Sequence, residues 1–433
     1  MVCFYFDAGH YHLRTNKQDK VLNFSSEQEQ SGACSSSAER EKNQGKNFLN
    51  VPNKREQSQT CLNSAERAGL RPKGNVPTLR FPEFSGEWKK ERLKDKCSFF
   101  SGGTPSSTNK TYYDGDIPFI RSGEIASDST ELFLSESGLN NSSAKIVEKG
   151  DLLLALYGAT SGQIAISQIK GAINQAILCI RSPYDKVFLK SAWEKRVEKI
   201  LQAYLQGGQG NLSAEIVKNL SFYFPSLQEQ NKIGQLILLI DERISTQIRI
   251  INELQSLIIG LEQTLLKPQS SWTSCFIGDV LSIGSGRDYK HLSKGDIPVY
   301  GTGGYMLSVN DFLYDGESVC IGRKGTIDKP LYLHCKFWTV DTLFYTYDFR
   351  EILPRYCYYL FNTINWLKYN EASGVPSLSK DTIERIKISI PSIEEQKRVC
   401  DIIDSVDEKL SLENTLLEKM ISLKQFLLSS LFV

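Results

Sequence analysis

Two stretches of this chain carry apolar residues at steps that alternate between three and four. The first holds Ile233, Ile237, Ile240, Ile244, Ile248, Ile251, Leu254, Ile258, Leu261 and Leu265, with no Gly or Pro before Gly260 and Pro268 after position 234. The second holds Val399, Ile403, Val406, Leu410, Leu417, Met420 and Leu427. That spacing predicts two long helices with the apolar seam of a coiled coil or bundle. Each covers roughly 40 residues, or about 60 Å at ~1.5 Å per residue. Ser226 with Glu229, and Ser392 with Glu395, have capping-box spacing. Two such helices would expose long apolar stripes if isolated, so they are expected to pack on one another. Asn414 stands where Ile248 stands in the first helix. It is either a polar seam residue that fixes register or a slightly exposed position.

Elsewhere the period shortens. "KGDLLLALYG", "GQIAI", "AILCIRS", "GESVCIG", "PLYLHCKFWTV" and "TLFYTYDF" are short β-branched and aromatic runs between Gly, Asp and Asn turns, and they read as strands. Residues 191–206 and 353–370 have helical patterns. Each half of the chain is therefore expected to hold an α+β domain that feeds a long helix.

The halves also repeat in sequence. "NLSAEIVKNLSFYFPSLQEQNKI" (211–233) aligns without a gap to "SLSKDTIERIKISIPSIEEQKRV" (377–399). Pro225 and Pro391 lie 166 positions apart, and the register continues from Asp241-Glu242-Arg243 to Asp407-Glu408-Lys409. Upstream, "GDIPFIRSGEI" (115–125) echoes "GDIPVYGTGG" (295–304), and Trp88 echoes Trp272. Such internal repetition marks a duplicated frame.

Composition narrows the class. The 433 residues, 40% hydrophobic, suffice for two or more ordinary cores. No apolar run approaches the ~18–20 residues of a membrane span. The ten cysteines form no CxxC pair, and the start lacks the pattern of a signal peptide, so they read as reduced thiols in a cytoplasmic protein. A net charge of +1 gives no global basic signature. The first ~75 residues are rich in Ser, Gln, Glu and Lys, and they are expected to be a disordered extension or an over-long translation start.

Motifs for catalysis are missing from the pattern. "GRKGT" (322–326) has its Lys before the Gly and lacks the order that cradles phosphate. There is no HExxH, no strand-linked GxGxxG and no run of the kind adenine methyltransferases use, and the four histidines lack metal spacing. No catalytic or metal-binding role is expected.

"VPTLRFPEFSGEW", "GDIPFIRSGEI", "NLS…FPSLQEQNKI" and "SLS…IPSIEEQKRV" together resemble the specificity subunits of type I restriction–modification systems. The resemblance covers about 76–432. It implies an α+β fold in which two pseudo-symmetric target-recognition domains are joined by two long antiparallel helices in a coiled coil. The domains would span 76–224 and 268–390, with a central helical spacer at 225–267 and a distal helix at 391–433. Each domain would read one half of a bipartite, asymmetric site in double-stranded DNA. The implied partners are two modification (methyltransferase) subunits, which use S-adenosylmethionine, and restriction (translocase) subunits, which use ATP and Mg²⁺. No cofactor is expected on this chain. A helical scaffold whose globular domains bind protein is the competing reading.

Reader residues follow from chemistry alone, since Arg or Lys pairs with guanine, Asn or Gln with adenine, and Ser or Thr with either or with phosphate. In the first domain these are Arg121, Ser122, Tyr157, Thr160, Ser161, Gln163, Asn174 and Gln175. In the second they are Arg287, Lys290, Thr302, Tyr305, Arg323, Lys324 and Trp338. The competing role for the Gly-flanked hydroxyls is turn formation, and for Trp338 it is the core.

Overall fold

The structure is a computed structural model that describes residues 3–7, 10–14, 74–204 and 212–433. The N-terminal extension expected at 1–75 falls outside these residues, apart from positions 74–75 and one antiparallel strand pair, β1 (Cys3–Asp7) and β2 (His10–Arg14). The described chain divides into two units. One holds residues 74–246 and 418–433, and the other holds 247–417.

In the first unit, β3 (Lys89–Arg92) pairs with β12 (Ser221–Phe224), so the chain enters and leaves the domain side by side. Between them lie β4 (Ser98–Ser101), β5 (Ile117–Ile120), β6 (Phe133–Leu134), β7 (Lys145–Val147), β8 (Leu152–Ala155), β9 (Ile164–Ile166), β10 (Gly171–Ile173) and β11 (Ile177–Arg181). They form two four-stranded sheets, in the orders β6-β5-β10-β7 and β4-β11-β8-β9. Ile120, Val147 and Ile173 of one sheet share a core with Leu153, Ala165 and Cys179 of the other. On its far side the second sheet turns Leu152, Leu154 and Ile180 toward Phe188 and Trp193 of helix α1 (Lys186–Tyr204). Strand β8 is buried on both faces, so it reads in sequence as a continuous apolar run and not as an alternation.

The same core takes in Ile233 and Ile237 of helix α2 (Leu227–Leu265), together with Leu427 and Leu431 of the last helix (Ile393–Leu431). Asp241 Oδ1 lies 2.7 Å from Lys424 Nζ.

The second unit repeats the plan with a different sheet. Strand β13 (Thr273–Phe276) pairs with β20 (Lys387–Ile390), as β3 does with β12. Here the interior is one six-stranded sheet, β14-β19-β17-β18-β15-β16. Its strands are β14 (Ser282–Ser285), β15 (Lys294–Gly301), β16 (Gly304–Val309), β17 (Tyr314–Gly322), β18 (Leu331–Thr339) and β19 (Leu343–Tyr347). One face packs Val319, Ile321 and Phe344 on Tyr356, Cys357 and Phe361 of helix α3 (Pro354–Thr363). That core continues to Ile258 and Leu265 of α2 and to Val399 and Ile403 of helix α4 (Ile393–Leu431). In the same unit Gln247 Nε2 donates to the Glu413 carbonyl (2.9 Å) and carboxylate (2.6 Å). Rising numbers on α2 thus meet falling numbers on α4, which makes the helices antiparallel. Asn414 does not reach across. Its amide donates to Leu410 O on its own helix, whereas Gln247, 4% exposed, is a polar seam residue that does reach across.

No helix among the described residues is long and apolar enough to cross a membrane.

Candidate nucleic-acid interface

Strand order fixes which loops converge. In the first unit β4 ends at Ser101 opposite Leu178, and β8 ends at Ala155 opposite Ile177, both on antiparallel β11. The segments 102–109, 156–163 and 174–176 therefore leave one end of the sheet. Strand β5 runs parallel to β10, with Ile120 opposite Ile173. Arg121 and Ser122 consequently emerge beside Asn174. Backbone bonds join these loops: Gly102 N–H donates to Asn174 O (3.2 Å), and Leu156 N–H to Ala176 O (2.8 Å). Gly102 is required there, because a Cβ would sit 1.7 Å from Ile173 O. All eight first-domain candidates share this end.

They differ in availability. Tyr157 and Gln175 are exposed, while Ser122, Gln163 and Asn174 are half-buried. Thr160 is buried, and the Ser161 hydroxyl donates to Leu156 O (2.9 Å). Asn174 Oδ1 accepts from Ala176 N–H (3.1 Å), a turn role. Arg121 is bound within the domain, with Nη2 at 2.8 Å from Glu124 and 2.6 Å from Glu131. Burial alone would raise the Glu124 carboxyl. Hydrogen bonds from Arg121, with the backbone N–H groups of Arg121 and Glu131, outweigh it and hold that carboxyl below its ordinary range.

In the second unit β14 ends at Ser285 opposite Phe344, and β17 ends at Gly322 opposite Leu343. Tyr300 of β15 lies in parallel register with Thr339 of β18. Arg287, Arg323, Lys324 and the Thr302 turn therefore gather at one end of the sheet. Arg287 N–H donates to Thr339 O, and Arg323 N–H to Thr342 O, both at 2.8 Å. Gly286 is the counterpart of Gly102, since its Cβ would lie 2.0 Å from Val340 O. Lys290 is exposed on the following loop. Tyr305, 58% exposed, stands on β16 beyond the turn.

Trp338 leaves the candidate set. It is 5% exposed, packs with Val299, Val309 and Val340, and gives its indole N–H to Arg287 O (2.8 Å).

Three neighbours of these edges escaped the sequence reading. The Thr104 hydroxyl donates to Gln175 Oε1 (2.6 Å), which ties the Thr-Pro-Ser-Ser-Thr loop to the first edge. His291, weighed only as a metal ligand, lies edge-on to Trp338. Val375, 56% exposed, projects from a loop held against the second edge by Gly325 N–H to Pro376 O (2.8 Å). The turn-forming composition of the two loops was the available signal, but the contacts joining them to the edges are long-range.

The doubled Glu-Gln element lies elsewhere. Gln230 Oε1 accepts from Asp185 N–H (3.1 Å) at the start of α1, and its amide donates to Pro225 O (3.0 Å). Gln396 repeats this at α3: it accepts from Leu353 N–H (2.8 Å) and donates to Glu351 O (2.9 Å) and Pro391 O (3.0 Å). Each Gln clamps a domain helix onto a long helix. Ser226 Oγ accepts from Glu229 N–H (3.3 Å), which is half of a capping box. The Glu229 carboxylate does not close the other half. It is buried and takes both Nε and Nη2 of Arg80 at 2.8 Å.

The family model for the type I restriction modification DNA specificity domain matches residues 85–256 and again 269–420. The specificity subunit of the type I restriction enzyme MjaIX from Methanocaldococcus jannaschii is 27% identical over 172 residues, 37% of this chain and 39% of that protein. The corresponding subunit of EcoR124I/EcoR124II from Escherichia coli is 25% identical over 171 residues, 37% of this chain and 42% of that one. Both matches span about two-fifths of the relative's length. The crystal structure of the type I restriction–modification S subunit from M. genitalium shares the fold, with a TM-score of 0.59 at 18% identity over 83% of this chain and 99% of that one. With the family's domain matched twice over most of its length, this chain belongs to the type I restriction modification DNA specificity family.

Proposed function

We propose that this chain supplies the DNA specificity of a type I restriction–modification complex, each unit reading one half of a bipartite site through the loop-bearing end of its sheet. One observation carries the reading: a repeated frame presents two unlike edges. The Gln clamps, the paired terminal strands and the long helices recur in both units. The edges do not recur, since one spans the ends of two four-stranded sheets and the other lies on a single six-stranded sheet. A fixed frame with two different readers suits a target with two unlike halves.

Partner recruitment rests on the same repeat. Leu227 and Ile393 occupy equivalent positions and are 53% and 37% exposed. Leu257 and Leu423, likewise equivalent, are 48% and 49% exposed. An apolar chemistry displayed twice on one frame suits two copies of one partner, here the modification subunit. In this division of labour, S-adenosylmethionine, ATP and Mg²⁺ belong to the modification and restriction subunits, the chain itself is not catalytic, and the complex works in the cytoplasm.

Exchange of residues 88–205 for the matching region of a related chain tests the proposal. Methylome sequencing is expected to show a change in one half of the methylated site. An unchanged recognition sequence would refute it.

A further inference from the structure

We infer that the two edges grip DNA by different chemistry: the second unit supplies the charge that engages phosphates, and the first reads with neutral groups. This rests on the DNA-reading assignment above. The first edge comprises segments 102–109, 121–122, 156–163 and 174–176, and Arg121 is its only lysine or arginine. That guanidinium already bridges Glu124 and Glu131 (2.8 and 2.6 Å), so the trio carries a surplus negative charge. A phosphate approaching there meets Glu131, whose side chain is 80% exposed. What the edge does offer is hydroxyl and amide: Thr104, Ser106, Thr108, Tyr157 and Gln175 are exposed.

The second edge is built the other way. Arg287, Lys290, Arg323 and Lys324 are all exposed, and among the described residues none has a carboxylate within 4.0 Å. The acids on its loops keep their charge but form no direct ion pair with them. Asp288 accepts the backbone N–H of Lys290 (3.2 Å), Glu371 accepts from Ser379 (2.7 Å), and the Arg323 guanidinium meets the Asp341 carbonyl (3.5 Å) and the Phe344 ring (5.9 Å to its centroid) but no carboxylate. Backbone anchors at Thr339 and Thr342 hold the two arginines at the rim. Unpaired cations at fixed positions can release the counterions of a duplex, and that release is the source of salt-dependent affinity.

The test measures binding of the complex, assembled with its modification subunits, to its methylated-site duplex and to a scrambled duplex at several salt concentrations. Each phosphate contact contributes about 0.9 to the slope of log K against log salt. Replacing Arg287, Arg323 and Lys324 together by Gln is expected to flatten the slope by roughly 2–3 and to weaken both duplexes alike at low salt. Thr104→Ala and Gln175→Ala are expected to weaken the cognate duplex alone, at an unchanged slope. Glu131→Gln, which removes an exposed carboxylate and no buried contact, is expected to tighten binding at low salt. An unchanged slope in the triple variant, or first-edge variants that flatten it equally, would overturn the inference. Failure of the DNA-reading assignment looks different: exchange of 88–205 would then leave the methylated sequence unchanged, whatever the slopes.

Discussion

Gln396 and Gln230 show how far residue chemistry could be read without coordinates. Glu-Gln after Pro-Ser stood out because it occurs twice, and its spacing pointed to helix capping. The Ser does cap, but burial decides the other two positions. Gln396 is wholly buried with three hydrogen bonds to backbone groups. Its partners are 5 and about 45 positions away, so no local pattern could reveal them. Gln396→Ala removes three hydrogen bonds, one of them to the buried Pro391 O, and should cost about 3 kcal/mol in chemical denaturation, because each bond contributes about 1 and a buried unmet group costs about 1–3. Arg80→Ala strands the buried Glu229 carboxylate and should cost about 3–5 kcal/mol, the usual effect of breaking a buried pair. Glu124 makes a pH prediction. Its folded carboxyl lies below its ordinary range, so its stabilising contribution is present above the unfolded value and is lost as pH falls through the folded one. Thermal melting scanned downward from pH 6 should fall less steeply in Glu124→Gln than in the parent.

At the scale of elements, periodicity carried most of the information. The long helices were legible because ten seam positions of α2 are all buried or half-buried and nothing breaks the pattern. Strand β8 was legible only as an apolar run, since both faces are covered. Sheet order was not legible. The upstream echoes of the repeat suggested like domains, yet one unit splits its strands into two sheets and the other joins six into one. That outcome depends on strand partners far apart in sequence, and similar short strands accept different partners. The same helices make a prediction about assembly. Leu257→Asp and Leu423→Asp change exposed positions, so folding should be little affected. Native mass spectrometry with the modification subunit should show each single variant carrying one copy fewer and the double variant carrying none. Full stoichiometry in the double variant would place the partner elsewhere.

For the whole molecule, charge sets what the chain can do by itself. The 51 basic and 50 acidic residues leave a net +1, and of the two edges only the second carries exposed cations without an ion pair among the described residues. Affinity for DNA scales with the phosphates neutralised, and four exposed cations are few for a specific complex. The lone chain should therefore bind at physiological salt no more tightly than non-specific proteins do, about 10⁻⁴–10⁻⁶ M. With modification subunits added, affinity should enter the range of specific complexes, about 10⁻⁸–10⁻¹¹ M, if the proposed assembly supplies the phosphate contacts that the lone chain lacks. Titration of a labelled target duplex with the chain, alone and assembled, checks this. Site-specific nanomolar binding by the chain alone would show that its edges supply the grip as well as the choice.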